Sequence, residues 1–193
     1  MVWLIVIVAV LAVLAVGCAL GLPRLRTRRL RERFGAEYER ALRGHGDDVR
    51  AAERDLSDRV RRSRELHLRP LAPADQERAR QRLAEVQELF VDDPGRAVAE
   101  AERQLAELLD RIGYPADGRP EALSVRHAGA LPGYRTALGT LERAQAVQVG
   151  TEELRSALLA VRELTRQVLT AEPVEPPGPA APALRKAPAP RTN

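Results

Sequence analysis

An uncharged apolar run from Val2 to Leu22 opens this sequence and ends at Pro23. A helix of about 20 residues matches the roughly 30 Å hydrocarbon core of a bilayer, whereas the apolar region of a cleaved signal peptide usually has only about 7–15 residues. The run therefore predicts a transmembrane anchor over residues 1–23 that stays on the mature chain. We expect a single-pass protein of the plasma membrane of a bacterium.

Six arginines follow the anchor: Arg24, Arg26, Arg28, Arg29, Arg31 and Arg33. Arginines within about 15–20 residues of a membrane helix tend to remain on the cytoplasmic side. We therefore expect a short N-terminus outside and residues 24–193 in the cytoplasm. The six side chains are also candidate contacts with anionic lipid headgroups, although a topology signal alone would explain them equally well.

The only cysteine, Cys18, offers an alternative anchor. Residues 15–18 loosely resemble a bacterial lipobox, in which the cysteine is lipidated after signal cleavage. The apolar run continues past that point, and no basic segment precedes it, so a small apolar residue within the membrane helix explains Cys18 better. An extracytoplasmic envelope protein anchored through Cys18 remains the alternative interpretation.

The formal net charge of +4 is concentrated beside the anchor, since residues 23–43 hold eight arginines against three glutamates. Residues 44–170 hold twenty arginines against twenty-two acidic residues. Nucleic-acid binding needs a basic domain face, and often a platform of aromatic side chains. The sequence has neither, and we expect no nucleic-acid partner.

Apolar residues recur at three- and four-residue steps from residue 24 onward, which is typical of amphipathic helices. The sequence thus predicts an all-α fold: the anchor, a basic juxtamembrane helix over 24–46, a helical bundle over 47–170 and a disordered Pro/Ala-rich tail over 171–193. The six apolar stripes are Leu30, Phe34, Tyr38 and Leu42; Val49, Ala52, Leu56 and Val60; Ala79, Leu83, Val86 and Phe90; Val98, Ala101, Leu105, Leu108 and Ile112; Tyr134, Leu138, Leu141 and Gln145; and Leu154, Leu158, Val161 and Val168.

Four signals mark the ends of these helices. Asp47-Asp48 and Asp93-Pro94 are typical of N-termini, because an aspartate accepts hydrogen bonds from free backbone N–H groups and proline fits the first helical position. Gly113 is typical of the residue just after a helix. Gly150-Thr151, with two glutamates behind it, predicts the start of the last helix.

Residues 114–132 are rich in proline and glycine and predict the least regular part of the domain. Such a loop is where we expect a protein partner to bind. The candidate contacts are Tyr114, Arg119, Arg126, His127 and Tyr134.

Catalytic and metal-binding patterns are missing from the sequence. The three histidines, His45, His67 and His127, do not have the spacing of a helical metal site, and we expect a surface or capping role for each. His127 follows Ser124 by three residues, so a hydrolase or metalloenzyme using His127 is kept as an alternative. The expectation is a protein that is not an enzyme, with no cofactor and no small-molecule substrate.

Three stretches and the anchor carry a resemblance to a known family. The stretches are Leu30-Arg31-Glu32-Arg33-Phe34-Gly35, which continues to Tyr38, Phe90-Val91-Asp92-Asp93-Pro94 and Arg111-Ile112-Gly113-Tyr114-Pro115. They resemble bacterial single-pass membrane-anchored helical proteins with no assigned activity, over roughly residues 1–170. The resemblance implies an anchored helical domain and brings no cofactor or catalytic residue. The expected function is a membrane-tethered interaction or adaptor module at the inner membrane surface, with the lipid bilayer and a protein as partners.

Overall fold

The computed structural model describes Trp3 and residues 25–171. Apart from Trp3, the predicted anchor with Cys18 lies outside the described residues, as do Arg24 and the tail from residue 172 onward. Within residues 25–171 the chain forms helices and no strand, which confirms the all-α class. No helix in this range is both long enough and apolar enough to cross a bilayer. The helices are α1 (25–34), α2 (Ala36–Gly44), α3 (Val49–Glu65), α4 (Pro73–Asp92), α5 (Pro94–Ile112), α6 (Arg119–Leu123), α7 (Leu131–Ala146) and α8 (Thr151–Thr170).

Helices α4, α5, α7 and α8 form a four-helix bundle around one apolar core, as the sequence predicted. Leu105, Leu109, Leu131, Val161 and Leu164 are fully buried in it. Each such side chain contributes about 1.5–3 kcal/mol relative to an exposed one. Only one residue separates α4 from α5, and these neighbours pack along each other, so the two helices run antiparallel.

Helices α1, α2 and α3 form a second, smaller core beside the bundle, and we call them the N-terminal layer. Its buried apolar residues include Phe34, Tyr38, Ala52 and Leu56, and Val125 enters it from the segment after α6. The contacts of this core cross the domain boundary expected at residue 46, because α3 packs on α2 rather than within the bundle. The layer meets the bundle through α6 and α7.

Two local expectations were wrong. The single helix expected over residues 24–46 is divided at Gly35, whose φ of 51° cannot continue a right-handed helix. In α7 the buried face runs through Leu131, Tyr134, Ala137 and Thr140, so of the predicted stripe Tyr134 is buried, Leu138 and Leu141 pack partly buried against the core, and Gln145 is exposed.

The predicted helix ends are confirmed. The Asp48 carboxylate accepts hydrogen bonds from the backbone N–H groups of Arg50 at 2.8 Å and Ala51 at 3.1 Å. The Asp93 carboxylate accepts one from Arg96 at 3.0 Å. Since these donors have no partner inside their helices, the two aspartates fix where α3 and α5 begin.

Gly113 ends α5 and lets the connection between α3 and α4 cross it. Its φ of 103° is left-handed, and a Cβ placed there would lie 3.1 Å from the backbone oxygen of His67. The Arg69 N–H donates to the Ile112 carbonyl oxygen at 2.8 Å. This hydrogen bond holds the connection against the end of the helix, and a Cβ at residue 113 would press on its main chain.

Gly113→Ala is therefore expected to lower the free energy of unfolding by about 1–3 kcal/mol, since it adds both backbone strain and a contact with main-chain atoms that cannot move aside. Gly139→Ala is the control, because Gly139 lies inside α7 with no neighbour within 4 Å of its Cβ position. That change should stabilise by up to about 1 kcal/mol through helix propensity. Denaturant unfolding measures both, and equal effects of the two substitutions would contradict this account of Gly113.

Candidate functional site

The exposed large apolar side chains of the described residues come singly from separate parts of the chain: Trp3, Leu25, Val49, Val91, Val147 and Leu159. Apolar docking sites are usually contiguous patches of several hundred Å². The candidate site therefore lies among the charged side chains.

The three glutamates of α1 and α2 are each held by one arginine. Glu32 pairs with Arg28 at 2.8 Å, and Glu39 pairs with Arg31 at 3.6 Å. Arg31 also lies over the ring of Tyr38, 5.0 Å from the ring centre. These two glutamates are consequently unable to neutralise the other arginines nearby.

The third glutamate, Glu37, is only 1 % exposed and pairs across the fold with Arg135 of α7 at 3.4 Å. Arg135 also pairs with Glu121 of α6 at 3.3 Å. A buried carboxylate needs a nearby cation, and here the cation comes from the bundle. This ion pair ties the N-terminal layer to α7.

Four exposed arginines of α1 and α2 consequently have no ion-pair or hydrogen-bond partner for their side chains among the residues that the structure describes. They are Arg29, Arg33, Arg40 and Arg43, and we call them the arginine surface. Their charges are available to an external anion.

The bundle differs in this respect, because most of its arginines are paired with carboxylates. The pairs include those of Arg78, Arg80, Arg82, Arg103, Arg111, Arg119, Arg143, Arg155 and Arg166. Exposed arginines without such a partner also occur on α3, among them Arg50 and Arg54, so the arginine surface is distinguished by its place on the two helices that follow the predicted anchor.

The six arginines predicted as lipid contacts have different surroundings. Arg24 lies outside the described residues. Arg26 donates a hydrogen bond to the Ser57 hydroxyl at 2.9 Å, while Arg28 and Arg31 pair with glutamates as described above. Arg29 and Arg33 are left, and they lie one turn apart on the same side of α1.

The predicted partner loop is folded against the bundle. Tyr114, His127 and Tyr134 are 5 %, 4 % and 3 % exposed. The Arg119 guanidinium donates to the Pro115 carbonyl oxygen at 3.1 Å and pairs with Asp110. Of the five candidate contacts, Arg126 is the exposed one.

The expectation of a surface or capping role was wrong for His127, which lies under the loop close to the Tyr114 ring, with ring centres 6.4 Å apart. Ser124 is also buried, and its hydroxyl donates to the Glu121 carbonyl oxygen at 2.6 Å. Within the described part of the chain, no hydrogen bond links Ser124 to His127. A nucleophile–base pair is thus not assembled in this structure.

Burial of the His127 imidazole and the positive charge of neighbouring Arg126 lower the pKa of His127 to about 4, against the opposing effect of a hydrogen bond with the Gln167 side chain. Burial likewise raises the pKa of Tyr114. Burial and the charge of Glu102 raise the pKa of Tyr134, whose hydroxyl donates to Glu102 at 3.2 Å. Among the described residues, no group of three or more histidine, cysteine or acidic side chains is placed to hold a metal ion.

Comparison with protein-family models gives no match. Comparison with curated proteins gives none either, and no solved structure matches the chain. The family resemblance therefore stays a prediction.

Sequence reasoning missed Arg40 and Arg43 as functional candidates. Helical spacing places Glu37 three residues before Arg40 and Glu39 four before Arg43, which favours two local ion pairs. In the structure both glutamates pair with other arginines, Glu37 with Arg135 and Glu39 with Arg31. The only signal in the sequence was the excess of arginine over glutamate in residues 23–43.

We expect His127 to make the stability of the protein depend on pH. Its folded-state pKa of about 4 lies below its ordinary value of 6.5. As the pH falls from 6.5 towards 4, the unfolded state binds the proton first, so the free energy of unfolding should fall by about 3 kcal/mol, with full stability above pH 6.5.

Urea unfolding at a series of pH values measures this dependence. His127→Gln should remove that part of it, whereas His67→Gln, at an exposed position of the α3–α4 connection, should keep it. An unchanged pH dependence in His127→Gln would show that the imidazole is protonated in the folded state or plays no part.

Proposed function

We propose that this chain is a membrane-tethered helical module that lies at the inner surface of a bacterial plasma membrane, with its arginine surface against anionic headgroups and its bundle free for a protein partner. The observation that carries the proposal is the set of four unpaired arginines on α1 and α2. These helices follow the predicted anchor directly, so the same charges lie within reach of the bilayer surface.

The arginine surface is suited to orienting the protein. A cation close to an anionic membrane contributes about 1 kcal/mol, and this attraction is screened within a Debye length of about 8–10 Å at physiological salt. The predicted anchor already attaches the chain irreversibly. The arginines would therefore determine how the N-terminal layer lies on the surface, and through Arg135 they would also determine where the bundle stands.

The bundle supports the proposal of a protein partner because its helices pack around one apolar core and leave their charged faces exposed to solvent. The loop after α5 is held by Arg119 and by the buried His127 and Tyr114. It offers Arg126 as the exposed one of the predicted contacts.

Topology is tested by a reporter fused after Asn193. Because the arginines follow the anchor, a fluorescent protein at this point should fold and fluoresce in the cytoplasm. Activity of an export-dependent phosphatase at the same fusion point would place the bundle outside and contradict the proposal.

Surface contact is tested by hydrogen exchange of the full chain in nanodiscs. In phosphatidylglycerol the amides of residues 25–46 should exchange more slowly than in phosphatidylcholine, and added salt should remove the difference. Arg29→Gln with Arg33→Gln should reduce the difference by half or more.

Arg78→Gln with Arg80→Gln is the matched control, since it removes the same charge from α4 of the bundle. It should leave the lipid dependence intact. An equal effect of both pairs, or no lipid dependence in the unmodified protein, would contradict the proposal.

A further inference from the structure

A groove between α2 and the start of α7 is lined by three arginines. Arg40 and Arg43 border it on the α2 side, and Arg135 and Thr136 border it on the α7 side. Its volume is about 360 Å³. This lies in the range of small-molecule sites, about 300–1,000 Å³.

The cations of this groove differ in how they are held. Arg135 is fixed by Glu37 and Glu121, and its buried Nε has no hydrogen-bond acceptor among the described residues. Arg40 and Arg43 are exposed and unpaired, so they can turn towards a ligand. The free guanidinium groups of Arg40 and Arg43 thus lie on one side of the groove, and the guanidinium of Arg135, held by two ion pairs, lies on the other.

The charge of the groove selects the class of ligand. Glu37 is its one acidic lining residue, and the ion pair with Arg135 neutralises it. Arg40 and Arg43 keep their positive charges, while Glu121, which shares Arg135 from outside the lining, adds one negative charge beside the groove. Guanidinium groups bind phosphate oxygens through paired N–H donors, and several of them around one group favour a dianion over a singly charged anion.

We propose that this groove binds a phosphomonoester group, carried either by a lipid headgroup such as that of phosphatidic acid or by a soluble phosphate compound. Arg40 and Arg43 bind the phosphate oxygens, and Arg135 is the positioning residue that fixes the α7 wall. This inference rests on the proposed function, in which Arg40 and Arg43 belong to the arginine surface. It deepens that function by replacing a general attraction to anionic lipid with recognition of one chemical group.

The first test uses inorganic phosphate and the full chain in a neutral detergent, where no anionic surface exists. Binding is measured by phosphorus-31 line broadening at fixed ionic strength, with acetate as the comparison anion. Phosphate should bind and acetate should not. Binding here, without anionic lipid, can succeed even if the surface contact of α1 fails.

Substitutions separate a defined site from general charge. Arg40→Gln with Arg43→Gln should weaken phosphate binding about tenfold or more, and the two changes to lysine should weaken it less, because the charge is kept and the paired donors are lost. Arg50→Gln with Arg54→Gln is the matched control, since these exposed arginines also lack side-chain partners in the described range and do not line the groove. Equal weakening by the control pair, or no phosphate binding in the unmodified protein, would overturn the proposal.

The second test distinguishes the source of the phosphate. In nanodiscs containing phosphatidic acid, a lipid occupant should compete with inorganic phosphate and weaken its binding severalfold relative to phosphatidylglycerol nanodiscs of equal charge. Unchanged binding assigns the groove to a soluble phosphate compound. Either result identifies the ligand of a site that the substitutions have already established.

Discussion

Arg135 holds the two halves of this fold together by forming two ion pairs at once. It reaches Glu37 of α2 on one side and Glu121 of α6 on the other. Glu37 is almost completely buried, and a buried carboxylate left without its cation is strongly destabilising, by about 3–5 kcal/mol in comparable cases. The Glu37–Arg135 pair therefore supports the position of the N-terminal layer on the bundle, together with the packing of α3 on α6 and Val125 in the smaller core.

The same ion pair explains the charges on the outside of the layer. Because Glu37 is used internally, the arginines one turn away on α1 and α2 lose the acidic neighbour that helical spacing would give them. Glu32 and Glu39 are occupied by Arg28 and Arg31. The arginine surface is thus a consequence of how the layer packs, and the proposed contacts with phosphate and headgroups follow from it.

Local features of the fold were predictable from the sequence. Helix ends are marked by Asp48, Asp93 and Gly113 because the cause is local in each case. The two aspartates accept hydrogen bonds from backbone N–H groups two or three residues away, and Gly113 itself adopts the left-handed conformation. The buried stripe of α8, from Leu154 to Val168, follows from its period alone. Such features depend only on residues that are close to one another in the sequence.

Features that depend on distant residues were missed. The Glu37–Arg135 pair joins positions 98 apart in the sequence, and no spacing rule indicates it. The burial of His127 depends on how residues 114–130 fold under α8 and the α3–α4 connection. Glycine occurs both within helices and at their ends, and an unbroken helix would also place Phe34 and Tyr38 on one face, so the local sequence does not indicate the turn at Gly35.

The role of the Glu37–Arg135 ion pair in joining the N-terminal layer to the bundle is tested most directly by a double-mutant cycle. The cycle uses the full chain in detergent, with Glu37→Gln, Arg135→Gln and the combined variant. The free energies of unfolding should show a coupling of about 1–3 kcal/mol, because each single change strands the other partner while the double change does not. Effects of the two single substitutions that add within about 0.5 kcal/mol would contradict the central role of this ion pair.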